Sequence, residues 1–284
     1  MSKIRVITDT DSNLPVSMAE KHHILLVPIT IQFGEESFAD IFEIENEALF
    51  ARIDKTGKLP TTAAPSPTAF STAFHKAFDE GADSIICVCV GSRISRTYES
   101  ALVAADEFHG KKITVIDSGS LSMAQGFMAL TAAEAVAAGA THEEAVEKAK
   151  SITNRVFIYG SLSTLKYLAL GGRVSNLAAS MANMLNIRPI LAMREGKLDL
   201  LEKVRTRKAA MDRLVELVIT AVDHKPVERV CLIHVLNPDD AAILAAELRR
   251  KMDLPAELSV IDFGPGLSVH TGAGTVGVVV LAKE

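Results

Sequence analysis

Tryptophan is absent from this sequence, and aromatic residues make up only 5% of it. Basic residues are in deficit as well: 30 Lys and Arg face 35 Asp and Glu, a net charge of −5. A protein whose work is to neutralise phosphates carries the opposite balance, so nucleic acid is not expected as a partner. Cysteine is scarce. Cys87 and Cys89 are one residue apart in the apolar run SIICVCV, which as a strand points both to one face, and Cys231 stands alone. Buried thiols acting as small hydrophobes are expected there, not a metal or redox pair. No apolar run is long enough for a bilayer, so no integral membrane segment is expected. The opening MSKIRVITD runs straight into a strand-like pattern, without the basic and apolar regions of a secretion signal. The cytoplasm is the expected compartment.

Several chemical signatures are missing too. No His, Cys and Asp cluster has metal-ligand spacing. The glycine-rich stretch GPGLSVHTGAG (264–274) lacks the Lys-Ser/Thr of a phosphate loop and precedes a strand, not a helix. There is no Gly-x-Ser-x-Gly elbow and no carboxylate pair that stands out as acid and base. That weighs only weakly against a hydrolase, because catalytic triads assemble in space rather than in sequence.

What is present reads as an α/β protein. The 284 residues exceed the usual single domain, so two domains are expected, with one large domain as the alternative, and 48% apolar content is ample for a real core. Strands are expected over 3–8, 24–30, 84–90 and 113–117, then over 156–160, 229–235, 258–261 and 277–282. Several are unbroken apolar runs, the pattern of strands covered on both faces. Between them lie helical stripes, such as Tyr98, Ala101, Leu102 and Ala105, or Ala241, Leu244, Ala245 and Leu248. Helices are expected over 121–138 and 142–153, closing a first unit with a largely parallel sheet. The expected division is an N-terminal α/β domain, 1–153, and a C-terminal α/β domain, 154–284.

Hydroxyl-rich loops follow or flank the apolar strands: TDTDSNLP (8–15), LPTTAAPSP (59–67), GSRISRTY (91–98) and DSGSLS (117–122). Ligands of open α/β sheets gather beyond the carboxyl ends of strands, and such loops offer hydroxyls and free N–H groups to an anion. Any one of them is accounted for by helix capping, but four together favour a shared polar site. His270 lies among Gly264, Gly266, Gly272 and Gly274, so an imidazole on a tight loop facing a ligand stands beside a partly buried structural histidine. His234 belongs to the structural class, and the remaining histidines, His22 and His23 among them, read as surface residues. From Arg188 to Lys208 seven basic residues face three acidic ones. A solvated face explains such a run; a docking surface for an acidic or phosphorylated partner is the alternative.

Taken in order, the motifs resemble the DegV family, fatty-acid-binding proteins that serve as binding subunits of bacterial fatty acid kinase. The likeness runs nearly end to end. It comprises the early Asp-rich loop with Leu14-Pro15, VPITIQFGEESFAD (27–40), Thr62 ahead of Pro65, and ISRTYESA (94–101). It continues through VIDSGSLS (115–122), LALGGRVSN (168–176), LNIRPIL (185–191), KVRTRK (203–208) and HTGAG (270–274). The resemblance implies an N-terminal parallel α/β domain, a C-terminal α/β domain with a mixed or antiparallel sheet, and a lipid enclosed between or within them. It implies that Thr62, Ser95 and His270 hydrogen-bond the acyl carboxylate, with Thr61, Ser92, Arg93 and Arg96 as further candidate contacts. It implies Arg173 and Arg205 on the surface that meets the kinase. This sequence departs from the family pattern at Arg93 and Arg96, where small residues are usual, at Ala63 and Ala64 in place of a polar pair, and at Ala273.

The expectation is a binding module without cofactor or metal. It would enclose a long-chain fatty acid and hand its carboxylate to a separate ATP-dependent fatty acid kinase for acyl-phosphate formation in phospholipid synthesis. The alternatives are a lipid-dependent hydrolase using Ser95 with His270 as base, and a regulatory lipid-binding protein.

Overall fold

The computed structural model describes residues 3–171 and 187–284. The chain opens with β1 (Ile4–Asp9), a 3-10 turn (Thr10–Ser12), α1 (Val16–Lys21), β2 (Ile24–Val27), β3 (Thr30–Phe33) and β4 (Glu36–Ala39). It continues through α2 (Asn46–Thr56), β5 (Thr61–Ala63), α3 (Pro67–Asp79), β6 (Ser84–Cys89), α4 (Thr97–Asp106), β7 (Lys112–Asp117), α5 (Ser122–Ala137) and α6 (His142–Ser151). The later elements are β8 (Val156–Ser161), α7 (Lys166–Gly171), β9 (Arg188–Arg194), β10 (Lys197–Val204), α8 (Arg207–Val222), β11 (Val227–His234), α9 (Pro238–Lys251), β12 (Ser259–Asp262), α10 (Pro265–Thr271) and β13 (Val276–Ala282).

These elements form two compact units. One holds Met1–Glu43 and Thr62–Asn154, the other Ile44–Thr61 and Arg155–Glu284. The chain thus passes into the second unit early, at α2, and returns near β5. Periodicity cannot reveal this, because what holds α2 in the second unit is non-local: Asn46 on α2 bonds Asp262 and Phe263.

In the first unit β2, β1, β6 and β7 pair in that order, all parallel. Every residue of β6 is buried, because both faces of the sheet are covered. Ile7, Ile85, Cys87 and Cys89 pack against Phe70 and Phe74 of α3 and Ala101 and Ala104 of α4, while α5 lies against β1 and β6 on the opposite side. Burying a phenylalanine side chain contributes about 1.5–3 kcal/mol, so Phe70 and Phe74 are principal anchors. The thiols are core atoms, as their apolar run implies. On α4 the inward stripe is Ala101 and Ala104, and Leu102 is 42% exposed, contrary to its place in the expected stripe. The run expected as one strand over 24–30 is divided. Pro28, which has no N–H to donate, ends β2, and the chain enters the small β4-β3-β5 sheet.

In the second unit six strands run in the order β10-β9-β8-β13-β11-β12, antiparallel throughout except for the β11–β12 pair. The chain is therefore a parallel α/β unit followed by a mixed-sheet α/β unit, as the family resemblance implies. α8 and α9 cover one face through Leu214, Val218, Leu244 and Leu248, packed on Leu232, Val278 and Val280. Leu162, Leu165, Leu168 and Leu191 form a second cluster. The β9–β10 hairpin lies in the run that the sequence marks only as basic. No described helix is long and apolar enough to cross a membrane.

Candidate functional site

In the first unit the chain leaves β1 towards β2 on one side and returns to β6 on the other. The carboxyl ends of β1 and β6 therefore make the topological switch point where open parallel sheets bind ligands. A buried polar cluster fixes the loops there. Asp9, at the end of β1, accepts from the Val90 N–H at 2.9 Å, from the Gln125 amide at 3.0 Å and from the Asp11 N–H at 3.0 Å. Gln125 also donates to Thr8 Oγ1, and Thr8 in turn donates to the Val88 carbonyl. Burial pushes the Asp9 carboxyl up to about 6, against the lowering effect of the Val90, Gln125 and Asp11 hydrogen bonds. Sequence patterning singles out neither Asp9 nor Gln125. The usable signal was Gln125 itself, a lone amide in the apolar helix SMAQGFMALTAA, which once buried must find partners.

The loop after β6 is a tight turn in which the Ile94 and Ser95 N–H groups donate to the Gly91 carbonyl. Gly91 sits tightly against the next loop: a Cβ there would lie 3.0 Å from the Gly119 carbonyl carbon and the Ser120 nitrogen, so that backbone would have to give way to a side chain. Ser95 is half-buried, and its hydroxyl pairs with that of the buried Thr97 at 2.8 Å, just where α4 begins. Thr62 is the central, half-buried residue of β5, between the exposed Thr61 and Ala63. Pro65 and the Ser66 cap of α3 follow it, the Ser66 hydroxyl accepting from the Ala69 N–H at 3.2 Å.

In the second unit His270 is half-buried near the end of the seven-residue α10. The start of that helix is tied down by side chains. The Phe263 carbonyl accepts from Asn46 at 2.7 Å and from the Ser268 hydroxyl at 3.1 Å. His234 has the structural role expected of it, with Nδ1 2.9 Å from Asp262 Oδ1. His142, expected at the surface, is instead buried. Its ring lies 2.7 Å from Thr114 Oγ1 and 2.9 Å from Ser84 Oγ, so α6 packs its first residue onto β6 and β7. Burial lowers the His142 pKa, and so does the nearby Lys112 charge.

The sequence matches the DegV family of uncharacterised proteins over residues 3–283. The chain belongs to that family. A DegV domain-containing protein of Streptomyces coelicolor, SCO2569, is 34% identical over 280 residues, 99% of each chain. Among solved structures, a DegV family protein of Thermus thermophilus described for its fatty acid binding superposes with a TM-score of 0.92 at 26% identity. The match covers 99% of this chain and all of that one. DegV of Bacillus subtilis, described as a fatty acid binding protein, gives 0.86 at 29% identity over the full length of both chains.

The other residues that the DegV resemblance marks fall into distinct settings. The Ser92 hydroxyl donates to Asp117 Oδ2 at 2.5 Å and its N–H donates to Oδ1 at 3.1 Å, which joins the β6 and β7 loops. Arg93 and Arg96 are exposed on the Ser95 loop. Arg205 is exposed between β10 and α8, and Arg173 lies outside the described residues. Part of the basic run is neutralised locally, Arg207 by the buried Asp240 and Lys208 by Asp212. Among the described residues no group of three or more His, Cys, Asp or Glu is placed to hold a metal ion.

Proposed function

We propose that this chain is a fatty-acid-binding protein that encloses a long acyl tail and presents the carboxylate to a separate ATP-dependent fatty acid kinase. The observation that carries the reading is its likeness, over its whole length, to solved DegV proteins described as binding fatty acids. Thr62, Ser95 and His270 are the proposed carboxylate donors, with Thr61, Ser92, Arg93 and Arg96 as secondary contacts. Of these secondary contacts Ser92 is the least suited, since its hydroxyl proton is committed to Asp117. Arg173 and Arg205 are the proposed kinase-facing residues.

The energetics support this division of labour. Burying a chain of about sixteen carbons contributes roughly 0.8 kcal/mol per methylene, on the order of 12 kcal/mol before association costs. A carboxylate withdrawn from water must be met by donors, and two hydroxyls and an imidazole supply them without a permanent buried countercharge. The chain itself would need no nucleotide or metal, and would act as a binding subunit rather than an enzyme. A hydrolase using Ser95 with His270 as base is less well supported, because the described partner of the Ser95 hydroxyl is another hydroxyl, that of Thr97 at 2.8 Å. Mass spectrometry of an organic extract of the native protein tests the reading. About one fatty acid per chain is expected; an extract without acyl species, from a protein whose melting temperature added fatty acid does not raise, rules it out.

A further inference from the structure

We propose that Gly171 and Asn46 are positioning residues for the His270 imidazole, and that they leave Nε2 as the nitrogen that meets a ligand carboxylate. The inference rests on His270 being a carboxylate donor. Three features of the second unit lead to it.

A helix as short as α10 has little stability of its own, so its orientation is set by whatever holds its two ends. At the start, Asn46 reaches over from α2, 216 residues away in sequence, and uses its amide nitrogen twice. It donates to Asp262 Oδ2 at 2.8 Å and to the Phe263 carbonyl at 2.7 Å, and it is itself buried. The other oxygen of Asp262 accepts from the Leu236 N–H at 3.2 Å and lies 2.9 Å from His234 Nδ1, which links the junction to the end of β11. At the far end, Gly272 takes φ +83° and donates its N–H to the Ser268 carbonyl at 2.8 Å. A Cβ on Gly272 would fall 2.4 Å from the Tyr167 ring, so the turn is pressed against α7.

The ring itself is fitted against the last residue of α7. A Cβ added to Gly171 would lie 2.6 Å from His270 Nδ1, 3.4 Å from Cε1 and 3.7 Å from Cγ. Nδ1 is therefore the ring atom nearest the place a Gly171 side chain would take, and the missing side chain is what makes room for it. Nε2 is farther from that place than Nδ1, Cε1 and Cγ are. Asn46 fixes where the helix carrying the imidazole begins, and Gly171 fixes how the ring is turned. Neither needs to touch the ligand.

The test compares the affinity of a sixteen-carbon fatty acid with that of the alcohol of equal length. Wild type, Gly171→Ala, Asn46→Ala, His270→Ala and the Gly171→Ala/His270→Ala double variant are titrated with both. Each positioning variant should lose about tenfold for the acid and less than about twofold for the alcohol. In the double variant Gly171→Ala should add nothing to the loss caused by His270→Ala. In 15N spectra of histidine-labelled wild type, adding the acid should move the His270 Nε2 resonance and leave Nδ1 nearly in place. Equal losses for acid and alcohol, additive losses in the double variant, or a response at Nδ1 would each overturn the proposal. If Gly171→Ala does not fold, Asn46→Ala and the wild-type spectra decide the matter. A His270→Ala variant that keeps the wild-type preference for acid over alcohol defeats the carboxylate assignment itself, which is a separate failure.

Discussion

Asp9 gives a pH dependence that can be worked through. Its pKa rises from 3.8 to about 6 on folding, because burial outweighs the three hydrogen bonds it accepts. The folded chain therefore holds this proton more tightly than the unfolded chain does. Below pH 3.8 both states are protonated and the full stability is present; as pH rises through the folded pKa it is lost. Integrated between these two pKa values, ionisation of Asp9 disfavours the fold by about 1 kcal/mol at pH 4.5 and about 3 kcal/mol at pH 7. Asp9→Asn keeps the shape and removes the titration. The amide must turn its NH2 towards one of the donors that now point at the carboxylate, which costs about 1–3 kcal/mol at either pH.

The stability difference between Asp9→Asn and wild type should therefore move by about 2 kcal/mol in the variant's favour between pH 4.5 and pH 7. Exposed carboxylates whose pKa is lowered by their partners, such as Glu143 and Asp212, titrate equally in both proteins and cancel. Urea denaturation followed by far-UV circular dichroism gives the difference. Amide exchange in β1 and β6 assigns it to the first unit, since a chain of two units need not unfold in one step. A difference that stays constant between the two pH values, together with a carboxyl 13C titration of Asp9 centred near 4, would refute the reasoning.

Thr62→Val, Ser95→Ala and His270→Ala should each weaken fatty acid binding by about tenfold to a hundredfold and reduce the preference for acid over alcohol; paired titrations read this. Ser95→Ala should also lower thermal stability, by about 1 kcal/mol, because the buried Thr97 hydroxyl loses its partner. Arg205→Ala and Arg173→Ala should leave bound lipid unchanged while reducing kinase-dependent acyl-phosphate formation. Lipid loss with that coupling intact counts against their placement at the partner surface. Gly126→Ala should destabilise the first unit, since its Cβ would come within 2.8 Å of the Ser12 carbonyl. A melting temperature at or above wild type would show that α5 can shift away from the 3-10 turn.

The sequence by itself determined the alternation of strands and helices, the doubly covered parallel strands and the family. Those are local or linear properties: the unbroken apolar run of β6, the periodicity of α9, and motifs in a fixed order. Tertiary structure decided what depends on partners distant in the chain. The 44–61 segment reads as part of the first domain until Asn46 is seen bonded to Asp262 and Phe263. Asp9 is one polar residue among several in its loop until Val90 and Gln125 enclose it. His142 reads as a surface residue until β6 and β7 supply the hydroxyls that satisfy its ring. The partners of Ser92 and Ser95 cannot be read from their loop until Asp117 engages the first and Thr97 the second. The physical reason is common to all four. A polar side chain's place is set by where its hydrogen-bond partners lie, and folding brings those partners from other segments, whereas most apolar side chains, Leu102 excepted, follow the spacing of their own element.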